Sequence, residues 1–484
     1  MKKLFLLLLA IAPLYINGQN IIDIYNISAV NYQGTAKSAA MGNAMGAVGQ
    51  DFSAISINPA GLGLFRKSTF TFTPSLSTSF TMSNHFGNVE HDNKTNFTIN
   101  NIGYVGTNEY LKDIKINWAF GMNKTNNFNN SSFVNGFNPN NSLIDAYFAE
   151  IIANDIYNEN QLNEYSPSYI YPIWDVWLFD FNSDGSLTAY VPQGNIQQLK
   201  GVTSWGGTNE WTLSTSVNFN DKLFLGMSVN VSNVSYRKIS EYKETFEVDG
   251  ETLSWMQQEN LSTTGSGINY KVGLIAYPAS WLRIGAAIHS STIYNLTDTW
   301  RTETMSWDRI LNVPTSYFDY YLQTPWIFNG SVAFIFGNFA MITADCEYID
   351  YSSIALSAYD YDYSNYNDML TKTFKPSMNI RLGTEWRYQN LCFRGGYALY
   401  GSPYGLSPTK GIYNFHNRNA FSCGFGYTQH GFTIDVAYVY SYRHNNYDLY
   451  SQYTNYYTEL LDYNVVHEKT NLHNLIVSFK FRLY

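Results

Sequence analysis

The sequence predicts an all-β protein: a fourteen-stranded antiparallel transmembrane β-barrel with a partly helical N-terminal hatch inside its lumen. Three observations predict this fold. From Ser68 onward, apolar and polar residues alternate in runs of about ten or more, the length of a tilted strand that crosses a membrane. Short turns and long polar loops alternate between these runs. Aromatic residues make up 17% of the 484 residues and charged residues only 14%, which is typical of a lipid-facing β surface.

Residues 1–18 are predicted to be a secretory signal peptide. Lys2 and Lys3 form a charged start, and Leu4–Leu14 is an apolar core too short to cross a membrane as a helix. Gly18 is the expected cleavage point. No later run approaches about 18 consecutive apolar residues, so we expect the exported chain to span a membrane with strands.

Residues 19–67 are predicted to form the hatch, a compact plug for the barrel. The stretch Gly42–Leu62 is apolar and rich in glycine and alanine, and such small residues let a segment pack closely against surrounding walls. Pro59 prevents a helix from running through Asp51–Ile57. The segments Gln19–Tyr32 and Gly34–Val48 are expected to be partly helical. The residues assigned to the hatch site are Gly42, Gly46, Asn58, Pro59, Ala60 and Gly61.

Residues 68–484 are predicted to form the barrel. Tight turns such as Asn220-Asp221 and Gly337-Asn338 alternate with long polar stretches such as Asn126–Asn209 and Arg237–Leu261. This segregation is typical of outer-membrane barrels, whose turns lie at the periplasmic end and whose loops lie outside. The predicted strands, an even number as such barrels require, are Ser68–Phe80, Asn96–Gly106, Ile114–Thr125, Glu210–Phe219, Lys222–Tyr236, Ser262–Tyr277, Trp281–Tyr294, Pro325–Phe336, Phe339–Asp350, Phe374–Tyr388, Leu391–Gly401, Arg418–Gln429, Phe432–His444 and Leu472–Tyr484.

Strand alternation also predicts which charged side chains face the lumen. Inside the barrel, opposite charges on neighbouring strands can pair with one another instead of facing lipid. We therefore expect ion pairs in the lower barrel. The side chains predicted to face the lumen are Asp345, Glu347, Arg381, Glu385, Arg387, Arg394, Asp435, Lys480 and Arg482.

The hatch sequence is similar to that of a known family. Asn58-Pro59-Ala60, within the longer run Gly34–Gly63, resembles the N-terminal hatch of the FadL/OmpP1/TodX outer-membrane transport family, and in particular its Bacteroidetes branch, often labelled hemin-receptor-like. Thr264–Ile275 with Trp281–Ala287 resembles the central hairpin of the family, and Phe425–Tyr438 resembles a late hairpin. The similarity covers most of the chain, although only the hatch motif is specific.

The resemblance implies a function at the bacterial cell outer membrane, in contact with its lipid. It implies passive uptake of hydrophobic small molecules, long-chain fatty acid-like or other apolar compounds, by lateral diffusion through the barrel wall or, alternatively, past a shifted hatch. The alternative is a non-transporting barrel that docks secreted proteins or a larger outer-membrane complex, as PorV-type relatives do. A third alternative is an adhesin or receptor defined by its Tyr- and Asn-rich loops. An apolar tunnel leading to the hatch would favour transport, and a protein-sized loop cleft would favour docking.

Within the predicted strand Asn96–Gly106, the apolar residues change from one face of the strand to the other. Phe97 and Ile99 share one face, whereas Ile102 and Tyr104 share the other, and a regular strand cannot keep both pairs in lipid. A bulge would reconcile them; alternatively, Ile102 and Tyr104 face the hatch. Because relatives in the family release ligands through a gap at a kinked early strand, the resemblance makes this region the candidate lateral opening. Its residues are Asn100, Asn101 and Gly103.

Metal and cofactor chemistry finds little support in the sequence. Asp180, Asn182 and Asp184 match the start of an EF-hand calcium loop, but Val191 stands where a bidentate Glu is required. A plain Asp/Asn/Gly turn is the competing interpretation. The eight histidines lack metal-ligand spacing, so no other metal and no cofactor is expected.

Catalysis and nucleic-acid binding are also disfavoured. The sequence has no Gly-x-Ser-x-Gly motif, P-loop or CxxC pair, so we do not expect an enzyme. A net charge of -9 disfavours nucleic acid as a partner. The three cysteines are scattered and imply no disulfide framework.

Overall fold

Fourteen antiparallel strands form a closed barrel, as the alternation predicts. The computed structural model describes residues 20–111, 114–166, 169–404, 414–415, 417–450 and 464–483. The signal-peptide prediction, residues 1–18, lies outside them. The barrel strands are β1 (Thr69–His85), β2 (Asn88–Leu111), β3 (Ile114–Asn127), β4 (Ile196–Phe219), β5 (Leu223–Val248), β6 (Glu251–Ala279), β7 (Leu282–His289), β8 (Ile327–Phe336), β9 (Ala340–Asp350), β10 (Pro376–Tyr388), β11 (Leu391–Tyr400), β12 (Arg418–Gln429), β13 (Phe432–Asp448) and β14 (Val465–Arg482). Each strand pairs with the next, and β14 pairs with β1 to close the ring.

Several strands are longer than predicted, and one expected loop is wrong. Arg237–Leu261 is not a loop, because β5 and β6 continue through it to a tight turn at Asp249-Gly250. Phe86-Gly87 likewise joins β1 to β2 in a two-residue turn, and both turns have the positive φ angles that tight hairpins favour. Beyond the membrane a strand needs no apolar face, since ladder hydrogen bonds also hold polar residues, and the hydrophobic pattern therefore ends before the strand does.

One predicted strand is interrupted. Trp281–Tyr294 was expected to be continuous, but β7 ends at His289 and the chain resumes as a separate strand at Ile293–Met305. The next strand of the wall is interrupted beside it, between Ser316–Gln323 and β8. The Thr324 N–H donates to the Thr292 carbonyl at 3.0 Å, so a hydrogen bond joins the two interrupted segments. Apolar alternation continues across such a paired break, and the sequence pattern does not reveal it.

The predicted lipid-facing phase is confirmed. On β5, Leu223, Leu225, Met227 and Val229 are exposed on the outside of the barrel, whereas Phe224 and Ser228, which alternate with them, are buried. The same alternation of exposed apolar and buried polar residues runs along β1, β4 and β6. The outer surface is therefore apolar, as a lipid-facing wall requires.

The hatch consists of short elements inside the barrel. Helix α1 (Ile21–Ser28) is capped by the Asn20 side chain, and helix α2 (Ala36–Ala40) by Thr35. Two 3₁₀ turns follow, at Ser53–Ser56 and Pro59–Leu64, and the second begins at the proline. Nearly all of Gly34–Leu64 is buried, because the wall surrounds it.

Long strands and loop segments build a domain on the outer end of the barrel. Much of the expected loop Asn126–Asn209 is ordered there. Apolar side chains such as Tyr147, Ile173 and Trp255 form its core. None of the described helices is long and apolar enough to cross a membrane. The additional helices and strands of this end are α3 (Leu143–Ala153), α4 (Glu159–Tyr165), α5 (Tyr171–Asp175), α6 (Ser364–Thr373), Asn130–Asn138, Phe179–Phe181, Leu187–Ala189, Ile310–Asn312, Tyr351–Ser353, Ala355–Ser357 and Asn414–Phe415.

Candidate functional site

The hatch packs directly against the backbone of the wall. Eight strands present a glycine at the contact, and a methyl group built on any of them would lie within 2.6 Å of a hatch atom. At Gly273 on β6, that methyl group would lie 1.9 Å from Asn58 Oδ1. At these glycines no side chain fits between hatch and wall, so the two are in direct contact there. The eight glycines are Gly103, Gly121, Gly226, Gly273, Gly285, Gly383, Gly396 and Gly424.

Asn58 ties the hatch together and to the wall. Its Nδ2 donates to the Gly46 carbonyl at 2.7 Å and to the Leu274 carbonyl of β6 at 3.1 Å. Its Oδ1 accepts from the Ala60 N–H at 3.1 Å. Pro59 then starts the second 3₁₀ turn, where an N–H would have no partner within the helix. Asn58 is fully buried, and its amide serves three backbone groups that water cannot reach.

The three assigned glycines of the hatch are also close contacts. The Gly46 N–H donates to Asp345 Oδ2 at 2.9 Å, and the Gly42 N–H donates to Ser422 Oγ at 3.2 Å. Gly42 has a φ of 62°, a conformation that side-chain-bearing residues rarely adopt. Gly61 lies so close to Gly49 within the hatch that a methyl group on Gly61 would be 2.9 Å from the Gly49 Cα.

Ion pairs hold the lower lumen, as predicted. Arg381 pairs with Glu347, and both side chains are almost fully buried. Arg394 bridges Glu385 at 2.6 Å and Asp435 at 2.7 Å. Arg381 and Arg394 each pair with a carboxylate of the neighbouring strand, and Arg394 also reaches Asp435 two strands away; pairing of this kind is the expected placement of charge in a lumen.

One further pair ties the wall to the hatch, and two of the side chains predicted to face the lumen are exposed at the mouth of the barrel. Lys480 of β14 pairs with Asp51 of the hatch at 2.6 Å. Arg387 is half exposed and Arg482 is exposed. Both lie at the ends of their strands, where water is accessible and a long cationic side chain extends into it.

A cavity lies in the lumen between α1, the hatch and the wall. It encloses about 570 Å³ of empty space, part of it open to solvent. Its lining mixes apolar side chains such as Ile27 and Ile349 with the Lys271–Glu210 ion pair, whose atoms are 2.6 Å apart. His289 Nε2 lies 2.9 Å from the Ile57 carbonyl at its floor. The centre of a water-sized sphere can occupy only about 30 Å³ of it, so the cavity as it stands has room for a water-sized group beside an apolar and hydrogen-bonding surface.

Helix α1 covers this cavity within an aromatic cluster. Ile24 and Ile27 of α1 pack among buried Tyr, Phe and Leu side chains of the wall. Asp23 of α1 forms an ion pair with Lys238 and accepts a hydrogen bond from Tyr236 Oη at 2.7 Å. The helix is therefore held by one buried ionic contact in an otherwise apolar environment.

The phase change in β2 is a bulge. Pairing with β1 shifts between Thr73 and Pro74, so that Asn100 is the extra residue of β2. Phe97, Ile99 and Ile102 are all exposed on the outer face, and the alternative that Ile102 faces the hatch is therefore wrong. Pro74 was an overlooked sequence signal, because a proline inside a strand marks bulges and unpaired positions.

Above this bulge, β2 separates from β3. Their pairing begins at Asn101 opposite Asn123 and continues down to Leu111, and residues 88–100 have no ladder partner on the β3 side among the described residues. Side-chain bonds close the upper end instead: Lys94 Nζ donates to the Ser204 carbonyl at 2.7 Å, and Ser131 Oγ donates to Asp92 Oδ2 at 2.6 Å. We call the unladdered stretch of β2 from Asp92 to Asn100 the wall gap.

The residues predicted for a lateral opening lie at and below the wall gap. Asn100 accepts from Ser75 Oγ at 2.9 Å, and Asn101 Nδ2 donates to Asn123 Oδ1 at 2.7 Å. Gly103 lies lower, in an intact ladder against the hatch residue Phe52. Two of the three residues therefore border the gap, and the opening itself stays a prediction.

The hatch touches the β3 side of the wall gap. The backbone N–H of Asn31 donates to the Thr125 carbonyl at 2.7 Å, and that of Gln33 donates to the Lys124 carbonyl at 3.1 Å. β3 is itself irregular here, since its pairing with β4 shifts between Lys124 and Asn126. Thr125 also lines the lumen cavity. Cavity, hatch and wall gap therefore meet at one place.

The calcium candidate lies far along the chain, in the hairpin of Phe179–Phe181 with Leu187–Ala189. Asp184 Oδ1 accepts from the Ser186 N–H at 3.0 Å, and Asp180 Oδ1 accepts from Trp174 Nε1 at 3.1 Å. Asn182 bonds to Ser186 Oγ at 2.8 Å. These bonds are those of a tight turn. In the described part of the chain, no three His, Cys, Asp or Glu side chains are grouped as a metal site.

The wall glycines were missed by reasoning from the sequence. Each stands at an inward position in the middle of a predicted strand, as in Leu225-Gly226-Met227 and Leu382-Gly383-Thr384. A glycine inside a strand weakens it and often marks the close approach of another backbone. That signal was available, because the inward phase of these strands was already assigned.

Several solved structures have a similar architecture. A FadL homologue from Pseudomonas aeruginosa superposes with a TM-score of 0.57 at 12% identity, covering 94% of this chain and 99% of that one. The Pseudomonas putida toluene transporter TodX gives 0.53 at 14% identity, covering 95% and 100%. The Ralstonia pickettii toluene transporter TbuX gives 0.50 at 14% identity, also covering 95% and 100%. No family model and no curated protein sequence matches the chain. The chain has the fold of the FadL-type outer-membrane β-barrels.

Proposed function

We propose that this outer-membrane barrel carries out passive uptake of hydrophobic small molecules, which leave the lumen laterally through the wall gap. The observation that carries the proposal is that the lumen cavity reaches Thr125 of β3, beside the stretch where β2 has no ladder partner on that side. An apolar solute gains nothing by crossing an aqueous channel, but it gains by moving from an apolar pocket into lipid. The proposal includes no chemical step and no cofactor.

The closed hatch supports a lateral route over an axial one. At the wall glycines and around Asn58, the hatch and the wall are in direct contact, which blocks the axial path at that level. The wall gap, in contrast, is closed by few bonds, chiefly those of Lys94 and Asp92. Of the two exits from the cavity, the gap is the one that opens with the smaller loss of contacts.

The solved structures support the class of solute. TodX and TbuX are described as toluene transporters, and their fold is shared over nearly the whole chain. We propose apolar compounds in general, long-chain fatty acids and aromatic hydrocarbons included, as the solutes of this barrel.

A cross-link across the wall gap tests the lateral route. The native cysteines Cys346, Cys392 and Cys423 are first replaced by alanine. Asp92→Cys and Ser131→Cys, whose native side chains bond across the gap, are then joined by a short thiol cross-linker. Uptake of oleate or toluene into cells that express the protein is expected to fall to background and to recover when a cleavable linker is cut.

A matched cross-link provides the control. Arg237→Cys and Ser262→Cys lie opposite each other on β5 and β6, where the ladder is continuous. Joining them should leave uptake unchanged. Equal uptake with and without the linker at the gap would contradict lateral exit. Absence of uptake by the unmodified protein for every apolar compound would contradict the transport function itself.

Docking of a protein partner is the second candidate function. The observation that favours it is the ordered outer domain, in which Tyr147, Trp255 and Tyr450 form a core of its own. A docking barrel needs such a platform, and a channel does not. Replacing residues 143–190 with a short Gly-Ser linker separates the two functions. Uptake should survive if the domain only docks a partner, whereas it should be lost if the domain captures the solute.

A further inference from the structure

A basic pocket lies at the end of the barrel opposite the outer domain. It is formed between the hatch and the wall and encloses about 470 Å³ of empty space, part of it open to solvent. The turn Gly337-Asn338 forms its rim, and this turn belongs to the same end as the paired strand termini Thr69 and Arg482. In the FadL-type fold this end faces the periplasm. Lys37, Gln50, Arg283 and Arg387 supply the polar lining.

Lys37 is the unusual residue of this pocket. It stands on α2 among alanines, and its side chain is about nine-tenths buried. No hydrogen bond or ion pair of Lys37 is present among the described residues. Its strongest opposite charge is Glu385, but the oxygens of Glu385 already bond to Arg387 and Arg394. A buried ammonium with free donors indicates a site that receives an acceptor.

The charges around the pocket do not balance. Lys37, Arg283, Arg387, Arg394 and Lys480 provide five cations, and three carboxylates oppose them. Asp51 and Asp435 are both bonded to Lys480. Arg283 uses one nitrogen on the Val48 carbonyl at 3.3 Å and lies over the Tyr277 ring. The excess positive charge faces the pocket.

We infer that this pocket binds a phosphate group. Lys37 reaches it from the hatch, Arg283 from β7 and Arg387 from β10, so that three cations converge from three elements. A phosphate offers several oxygens to such an arrangement, and the planar guanidinium groups match its geometry. The group is either free phosphate in the periplasm or the headgroup of a phospholipid in the adjoining leaflet. The inference does not depend on the transport proposal, since the pocket lies at the other end of the hatch from the lumen cavity.

Calorimetric titration of the full-length protein in a non-ionic detergent tests the site. Inorganic phosphate and dihexanoyl phosphatidic acid are the two probes. Lys37→Met and Arg283→Gln are each expected to weaken binding about tenfold or more, because each removes a charge-assisted hydrogen bond. Lys37→Arg should keep most of the affinity. Lys375→Met, an exposed lysine of the outer end, is the matched control and should bind as the unmodified protein does.

The outcomes separate the sources and can overturn the site. Binding of inorganic phosphate with this variant pattern supports free phosphate, and binding of the lipid alone supports the headgroup. Binding of neither probe overturns the inference, as does unchanged binding by Lys37→Met. Acetate binding as tightly as phosphate also overturns it, since that result would indicate a general anion surface. Retention of heat-modifiable electrophoretic mobility checks that each variant is folded.

Discussion

Replacing Asn58 by alanine should loosen the hatch by a predictable amount. The change removes three hydrogen bonds: two from Nδ2 to the Gly46 and Leu274 carbonyls, and one from the Ala60 N–H to Oδ1. At about 1 kcal/mol for each bond, the free energy of hatch opening should fall by about 3 kcal/mol. Because the partners are buried, no water replaces the lost bonds.

Hydrogen–deuterium exchange measures this change directly. If exchange follows transient opening, about 3 kcal/mol corresponds to roughly 100-fold faster exchange of the amides in Gly46–Ala60. Amides of the barrel strands should exchange as before. Asn93→Ala, at an exposed position on β2, provides the control. Unchanged hatch exchange in Asn58→Ala, or equal acceleration in the strands, would refute the assignment of Asn58 as the link between hatch and wall.

Three more predictions follow from the contacts. Gly273→Val should push the hatch away from β6 and raise the permeability of liposomes to polar solutes, whereas Gly330→Val, where a side chain meets open space, should not. Lys480→Met should destabilise the protein by about 3–5 kcal/mol in chemical denaturation, since it leaves the buried Asp51 unpaired, and adding Asp51→Asn should restore part of that loss. Burial raises the pKa of Glu150 in the outer domain from 4.5 to about 7. Its neutral form therefore favours the folded state, and stability is lost as pH rises from 4.5 through about 7. Glu150→Gln should remove this slope and stabilise the domain above pH 7 by about 3 kcal/mol in tryptophan-monitored melting; an unchanged slope would contradict the assignment.

The barrel could be predicted from sequence because its signal is local. Period-two alternation places each strand and its lipid face, as on β5, without knowledge of any partner. The strand ends could not be placed, because the apolar face stops at the membrane while the ladder of β5 and β6 continues to Val248 and Glu251. The break between His289 and Ile293 was equally hidden, since it is paired with a break in the next strand.

The candidate functional site could likewise be predicted only in part from the sequence. The bulge at Asn100 was visible as a change of phase within one strand. The separation of β2 from β3 was not visible, because ladder pairing and the bond from Lys94 to Ser204 that closes the upper end join residues far apart in the chain. The basic pocket was missed for the same reason. Lys37 reads as an ordinary polar residue of a short helix until the fold places it beside Arg283.

The glycine contacts constrain the order in which the protein assembles. With wall glycines in direct contact with hatch atoms at eight strands, a hatch of this shape cannot be threaded into a finished cylinder. The contacts where β1 meets β14 also indicate this order. The Ala36 N–H donates to Ser478 Oγ at 2.8 Å, and that hydroxyl also contacts Thr73 Oγ1 at 2.7 Å. The pairing of β1 with β14, which closes the barrel, thus also bonds to the hatch. The N-terminal segment therefore has to be in place before the barrel closes, and it is trapped inside the barrel when β1 pairs with β14.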